Sequence, residues 1–153
     1  VVKIVNWVSS SKNGDNIPDE TVGKEWLLVP RYADRIEAIG IIGVDRCFTY
    51  TVNKGQPLFA DKRPRPKNID ELWAVASKDR YQSYSGKSAS MIDHFYDKLL
   101  RLSEYPIRNP YFEEECSKRV APLIDFVLQF GRGEILTEGQ IRQFINLNME
   151  LHH

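Results

Sequence analysis

The sequence predicts a single all-α domain, and three observations lead to that prediction. Several segments repeat apolar residues at the i, i+3, i+4, i+7 spacing of one helix face. No internal repeat or linker-like composition divides the 153 residues, which is about the length of one domain with one core. Four segments open with a helix-capping signature: Asn68 with Glu71, Ser90 with Asp93, Asn109 before Pro110, and Thr137 with Gln140.

The first segments are predicted to be two short helices joined by a polar loop. The chain begins without Met and already in a helical apolar pattern, so we expect a helix that ends near Val8 and further sequence upstream of Val1. Residues 9–20 are rich in Ser, Asn, Gly, Asp and Pro, which favours a loop. A short helix follows over residues 21–28, and its predicted apolar side consists of Trp26, Leu27 and Leu28.

The central segment, residues 31–48, is predicted to be one buried helix. Apolar residues occupy most of its circumference, and Gly40 and Gly43 would let a neighbouring backbone come close. Asp34 and Arg35 lie within this pattern. A buried carboxylate must be paired, hydrogen-bonded or metal-bound, so a buried Asp34 would need a partner. The alternative is that Asp34 and Arg35 form an ordinary ion pair at the surface near the start of the helix.

A long loop, about residues 49–67, is predicted after the central helix. The segment has no sustained period and contains one glycine and three prolines, although residues 48–52 could form a short strand or hairpin. Capped helices are predicted downstream, and the one that follows Asn109 contains Pro122. That proline is expected to kink or split the helix, and Gly131 and Gly133 are expected to stop it.

Composition restricts the possible partners and the compartment. The 21 basic and 21 acidic residues cancel, so no global field attracts nucleic acid or a membrane. One basic run, KRPRPK at residues 62–67, could contact nucleic acid, but a solvated loop is the simpler interpretation. Cys47 and Cys116 lack metal-ligand spacing and favour two buried thiols. With no signal peptide and no long apolar run, we expect a cytoplasmic or similarly reducing compartment.

Four stretches resemble one branch of the HD-domain phosphohydrolases. Residues 33–48, ADRIEAIGIIGVDRCF, are similar to its ADRLDAIGAIGIAR-type helix, and residues 90–102, SMIDHFYDKLLRL, to its SMINHFYEKLLKL helix. Residues 8–13, VSSSKN, are similar to its SFSKE-type segment, and residues 53–59, NKGQPLF, to its KGRPIY loop. The four occur in the family's order. The resemblance implies an HD-domain-like helical bundle of which this chain is the C-terminal portion, incomplete at its N-terminus.

The same resemblance implies that the parent protein is a metal-dependent phosphohydrolase. In the family a His, an adjacent His-Asp pair and a distant Asp hold a divalent cation that binds a phosphate oxygen and activates water. Asp34 matches the last of these ligands, and the others have no counterpart in this chain. They are expected upstream of Val1 or on a separate chain, with Mn, Mg or a transition metal bound. The 153 residues alone are therefore expected to be inactive.

Basic residues near these stretches are candidates to bind a phosphate-bearing substrate, which the resemblance suggests is a nucleotide. Arg46 and Lys98 could instead be structural ion-pair partners, with Asp97 or Glu104 as the acid for Lys98. The imidazole of His94 could likewise be a structural side chain whose hydrogen bonds are satisfied within the fold. The full candidate set is Arg35, Arg46, Lys54, His94 and Lys98.

Two positions in the central segment depart from the family pattern. Tyr32 stands where many relatives have an Asp, so any role of that acid is in doubt here. Glu37 stands where Asp is frequent and keeps the negative charge. It could orient Arg35 or a bound water, or it could be a solvated helix acid.

Two other functions are compatible with the sequence. One is a catalytically inactive HD-like module that binds a nucleotide or a protein partner. The other is a nucleic-acid-binding helical domain, which rests only on the basic run at residues 62–67. Besides the phosphate-containing ligand, we expect contact with the N-terminal segment of the parent or self-association, because loss of that segment would uncover apolar surface. His152 and His153 are interpreted as a tag remnant or frayed terminus.

Overall fold

A computed structural model describes residues 2–104 and 109–151. Within those ranges all regular structure is α-helical or 3₁₀-helical, which confirms the predicted all-α class. No helix in the described ranges is long and apolar enough to cross a membrane. The predicted end of the helix from Ser90 is residues 105–110, of which 105–108 lie outside the described residues, as do His152 and His153.

Between residues 2 and 53, the structure describes four α-helices, named α1 (Val2–Val8), α2 (Ser10–Asn13), α3 (Val29–Glu37) and α4 (Ile41–Asn53). Two 3₁₀ turns, Asp19–Thr21 and Glu25–Leu28, replace the predicted helix over residues 21–28. Leu28 is fully buried as expected. Trp26 is 67% exposed and lies outside the core, so its predicted burial is wrong.

In the described residues that follow Asn53, the α-helices are α5 (Ile69–Val75), α6 (Lys78–Gln82), α7 (Met91–Asp97), α8 (Pro110–Arg132) and α9 (Glu138–Leu151). A 3₁₀ turn, Leu99–Ser103, follows α7. The predicted caps are confirmed, because a backbone N–H in the first turn donates to the side chain of each of the capping residues Asn68, Ser90, Asn109 and Thr137. Pro122 does not split α8, which runs unbroken to a left-handed Gly133.

The central segment is two helices and not one. Gly40, between α3 and α4, has a φ of +85°, a left-handed conformation that glycine adopts readily and other residues avoid. The same turn needs a second glycine, since a Cβ at Gly43 would lie 2.4 Å from the carbonyl oxygen of Ala38. The prediction of one helix over residues 31–48 is therefore wrong, because apolar periodicity continues through a break that depends on glycine.

The core lies where α7 and the 3₁₀ turn after it pack against α8, with α4 and α9 alongside. Aromatic side chains connect these helices. Phe95 of α7 stacks on Phe126 of α8 with ring centroids 5.0 Å apart, and Phe126 also contacts Phe144 of α9 at 5.4 Å. This packing places α7 beside α4, which is the arrangement that forms the site described below.

The long loop occupies residues 54–68, because α4 continues to Asn53. Residues 48–52, considered as a strand from the sequence, are helical. The loop is attached at several points. Met91 and Ile92 donate their backbone N–H groups to carbonyls of residues 57 and 58, and Phe59 stacks on Phe130 at 4.7 Å.

The basic run at residues 62–67 takes part in this attachment. Arg63 pairs with the buried Asp93 at 3.1 Å, and the Arg65 guanidinium lies 4.8 Å from the ring centroid of Phe130. Gly131 leaves room for the loop, since a Cβ there would lie 1.8 Å from the carbonyl oxygen of Pro66. Two of the four cations in the run therefore have structural contacts, which does not favour the nucleic-acid interpretation.

Candidate functional site

A cleft of about 750 Å³ opens between α4 and the residues that lead into and out of α7. Gln56 of the long loop and Ser90, which caps α7, line it, and three segments contribute the rest of its polar lining. The residues are Arg46, Cys47, Tyr50 and Thr51 from α4; Tyr84, Lys87 and Ser88 from the connection between α6 and α7; and His94 and Lys98 from α7 and the position after it. Burial raises the pKa of the Cys47 thiol to about 12, so this free cysteine is unreactive at neutral pH.

Three of the five residues predicted to bind phosphate line this cleft: Arg46, His94 and Lys98. The other two do not. Arg35 is buried and contacts residues 14 and 15, and Lys54 is exposed at the end of α4. Lys87 was missed from the sequence, because it lies in a Ser- and Gly-rich connection that has no periodicity to mark it.

The three cations of the cleft, Arg46, Lys87 and Lys98, form no ion pair with any acid in the described residues. Arg46 makes one long hydrogen bond, 3.5 Å, to the carbonyl oxygen of Glu37. The predicted structural ion pairs are therefore absent from the described part of the chain. Uncompensated cations in a concave site favour binding of an anion.

The two acids proposed as partners of Lys98 bind other residues. Asp97 pairs with Arg80 at 2.5 Å, and Glu104 pairs with Arg101 at 2.5 Å. Arg80 also reaches Asp93 at 2.9 Å, so these carboxylates are neutralised behind the cleft. They do not offset the charge of the cations inside it.

Lys98 is half-buried, and burial lowers the pKa of its amine. The negative charge of Asp34 opposes that shift and raises the pKa, whereas Arg35 lowers it. The ammonium also lies 5.9 Å from the centroid of the Tyr84 ring. Asp34 does not line the cleft, but its charge acts on a cation that does.

His94 is neutral at physiological pH. Burial, with a further contribution from the Lys98 charge, lowers its pKa from 6.5 to about 4. Its Nδ1 lies 3.3 Å from Ser88 Oγ and 3.4 Å from the Tyr84 hydroxyl. The imidazole is therefore a polar group of the cleft and not a fourth cation.

Asp34 is exposed on α3, and no described residue pairs with it. Arg35, its neighbour in sequence, is 1% exposed and pairs with Asp15 at 2.8 Å. Asp34 therefore lies at the surface, as the alternative interpretation expected, but the predicted ion pair between Asp34 and Arg35 is wrong. Among residues 2–104 and 109–151, no three His, Cys, Asp or Glu side chains are arranged to hold a metal. The assignment of Asp34 as a metal ligand stays a prediction.

Glu37 binds Arg119 of α8 at 3.1 Å. The expectation that it orients Arg35 is wrong, because Arg35 faces residues 14 and 15. The acid instead joins the end of α3 to α8. Since its side chain is 65% exposed, the ion pair contributes little to stability.

No protein-family model matches this sequence. The chain is 43% identical over 135 residues to an uncharacterized protein of Acanthamoeba polyphaga mimivirus, a match that covers 85% of this chain and 54% of the viral protein. A crystal structure of a Lactobacillus plantarum protein, determined as a structural genomics target, is similar with a TM-score of 0.56 and 23% identity. That match covers 85% of this chain and 55% of the other, and it concerns the fold alone. The chain spans about half the length of the proteins it matches.

Proposed function

We propose that the cleft binds the phosphate groups of a nucleotide, and that the parent protein is a metal-dependent phosphohydrolase of the HD-domain type. One observation carries the proposal: Arg46, Lys87 and Lys98 converge on one concave site without an ion-pair partner among the described residues. Phosphate oxygens accept charge-assisted hydrogen bonds from such groups, and these are about twice as strong as neutral ones. The chain's own residues would bind and orient the phosphate.

The position of Asp34 supports the hydrolase part of the proposal. Its carboxylate is exposed, has no partner in the described residues and acts electrostatically on Lys98. These properties fit one ligand of a divalent cation that would lie beside the bound phosphate. Such a cation would supply Lewis-acid activation of the phosphate and of water. The remaining ligands would come from outside the described residues.

A second function is a module that binds the nucleotide without hydrolysing it. It would apply if the parent protein provides no ligands to accompany Asp34, the one residue that matches a ligand position of the family. The two functions share the cleft and differ only in whether a complete metal site exists in the parent protein. Hydrolysis by the parent therefore distinguishes them.

The experiment measures Mn²⁺-dependent hydrolysis of nucleoside triphosphates by the full-length parent and by these 153 residues. We expect the parent to hydrolyse the nucleotide, Asp34→Asn to abolish hydrolysis, and Lys98→Met to reduce it. Lys118→Met is the matched control, because Lys118 is exposed on α8 and pairs with Glu114 at 2.7 Å. Nucleotide binding by a parent that is inactive with Mn²⁺, Mg²⁺ and Co²⁺ would establish the binding module. Absence of both binding and hydrolysis would reject the proposal.

A further inference from the structure

Two lining residues of the cleft, His94 and Ser88, continue in a hydrogen-bonded row to Asp97 behind them. The Ser88 hydroxyl donates to Asp97 Oδ2 at 2.7 Å, and Ser88 Oγ lies 3.3 Å from His94 Nδ1. Arg80 fixes the carboxylate from behind at 2.5 Å. In a catalytic Ser-His-Asp triad the histidine lies in the middle, whereas here the serine does. The row is therefore not arranged to activate Ser88 as a nucleophile.

This order favours one of the two imidazole nitrogens as the site of the proton. A hydroxyl has one proton, and Ser88 gives it to the charged carboxylate, the stronger acceptor at the shorter distance. Ser88 Oγ then faces His94 as an acceptor, so this contact is a hydrogen bond only when Nδ1 carries the proton. The Tyr84 hydroxyl, 3.4 Å from the same nitrogen, can accept the same N–H as a second contact. A neutral imidazole protonated at Nδ1 has a lone pair at Nε2.

Nε2 is open to the cleft. No described residue forms a hydrogen bond with it, and it is not among the sealed polar atoms that lack a partner. The positive charge of Lys98 disfavours a second proton on the imidazole, so the ring keeps one lone pair. The cleft thus offers cationic donors and one neutral acceptor.

We propose that His94 binds the ligand by accepting, through Nε2, a hydrogen bond from a hydroxyl next to the phosphate. The ligand is then a phosphorylated sugar, as in a nucleotide, and inorganic phosphate alone leaves this acceptor unused. This inference rests on the proposed function, since Arg46, Lys87 and Lys98 hold the phosphate. The lowered pKa makes the imidazole a weak base at neutral pH but leaves its lone pair available as an acceptor.

The tautomer is tested first, with two-bond ¹H–¹⁵N correlation spectra of the histidine rings at pH 7. The His94→Gln spectrum assigns the signals. We expect the wild-type proton on Nδ1, and we expect Ser88→Ala to shift the population toward Nε2–H because the acceptor that holds Nδ1–H is removed. A proton on Nε2 in the wild type would overturn the inference.

The ligand is tested by calorimetry in EDTA with ATP and 2′,3′-dideoxy-ATP, which lacks both sugar hydroxyls. His94→Phe should weaken ATP binding about tenfold, the value of one good hydrogen bond, and should change dideoxy-ATP binding by less than about twofold. His94→Gln, whose amide oxygen can accept in place of Nε2, should retain most of the ATP affinity. Circular dichroism melts check that each variant is folded.

Arg46→Met separates this inference from the proposed function, because it should weaken both nucleotides equally. An equal effect of His94→Phe on the two nucleotides, with Arg46→Met still weakening both, would overturn the role of His94 alone. Absence of binding of either nucleotide to the wild type would overturn the proposed function together with the ligand class. If His94→Phe is unfolded, His94→Ala, which also lacks an acceptor, takes its place: a loss confined to ATP supports the inference, and an equal effect on the two nucleotides overturns it.

Discussion

Arg35 is paired with Asp15, 2.8 Å away and twenty residues earlier, and not with the adjacent Asp34. Its guanidinium is 1% exposed and also donates to the carbonyl oxygen of Gly14. Asp15 is therefore the counter-charge of a buried cation. Its contact with Arg35 joins the segment that follows α2 to α3. Asp34 has no such structural task among the described residues and is available for another role.

Asp15→Asn should lower the free energy of unfolding more than Asp34→Asn. Asp15→Asn removes the charge that a buried guanidinium faces, so we expect the free energy of unfolding to fall by about 1.5 to 3 kcal/mol. The larger cost of breaking a fully buried pair does not apply, because Asp15 is 45% exposed. Asp34→Asn should change the value by less than about 0.5 kcal/mol. Urea denaturation of both variants measures this, and a larger loss for Asp34→Asn would contradict the assignment.

His94 should make stability depend on pH. Its pKa is lowered from 6.5 to about 4, so between these values the folded state binds fewer protons than the unfolded chain. Stability contributed by this group therefore rises with pH across that window, is complete above it, and is lost as the pH falls through it. His94→Gln, which cannot titrate, should flatten the slope of the urea midpoint between those pH values. Parallel curves for wild type and variant would show that the imidazole keeps its ordinary pKa.

Asp34→Asn should lower the pKa of the Lys98 amine further. Burial depresses that pKa, and the Asp34 charge opposes the depression, so removal of the charge leaves burial with less opposition. A ¹³C NMR titration of the lysine side chains measures the change. Glu37→Gln is the matched control, because Glu37 pairs with Arg119 and should leave Lys98 unaffected. An equal effect of both substitutions would mean that Asp34 is not specifically coupled to the cleft.

Substitutions at two helical glycines give a matched test of how closely the long loop packs against α8. Gly131→Ala places a Cβ 1.8 Å from the carbonyl oxygen of Pro66, so loop and helix must separate, and we expect a loss of about 1 to 3 kcal/mol. A Cβ at Gly139 meets nothing within 4 Å, so Gly139→Ala should be neutral or stabilise by up to about 1 kcal/mol. Urea denaturation compares them. Similar effects would contradict the close approach of the loop to α8.

Local signals in the sequence predicted the helix starts well. Asn68, Ser90 and Thr137 each cap a helix through an atom three residues away, so the information lies within one turn. The prediction of one helix over the central segment was wrong because the deciding information is not in the apolar pattern. Its periodicity passes through Gly40, and only the backbone conformation of that residue separates α3 from α4.

The candidate site was predictable only in part. Arg46, His94 and Lys98 were identified through family resemblance and not through any pattern of spacing. Lys87 and Ser88 lie in an irregular connection, and they reach the cleft only because α6 and α7 fold that connection back over α4. The partner of Arg35 could not be predicted either, because an ion pair across twenty residues is a property of the tertiary fold.

The central claim, that the cleft binds phosphate, is tested most directly by calorimetric titration of pyrophosphate into this chain and two lysine variants. We expect the wild type to bind and Lys98→Met to weaken binding about tenfold or more, since a charged hydrogen bond contributes about 1.5 to 3 kcal/mol. Lys118→Met carries the same charge change at an exposed site on α8 and should stay within about twofold of the wild type. Equal weakening by the two variants, or no effect of either, would contradict the account.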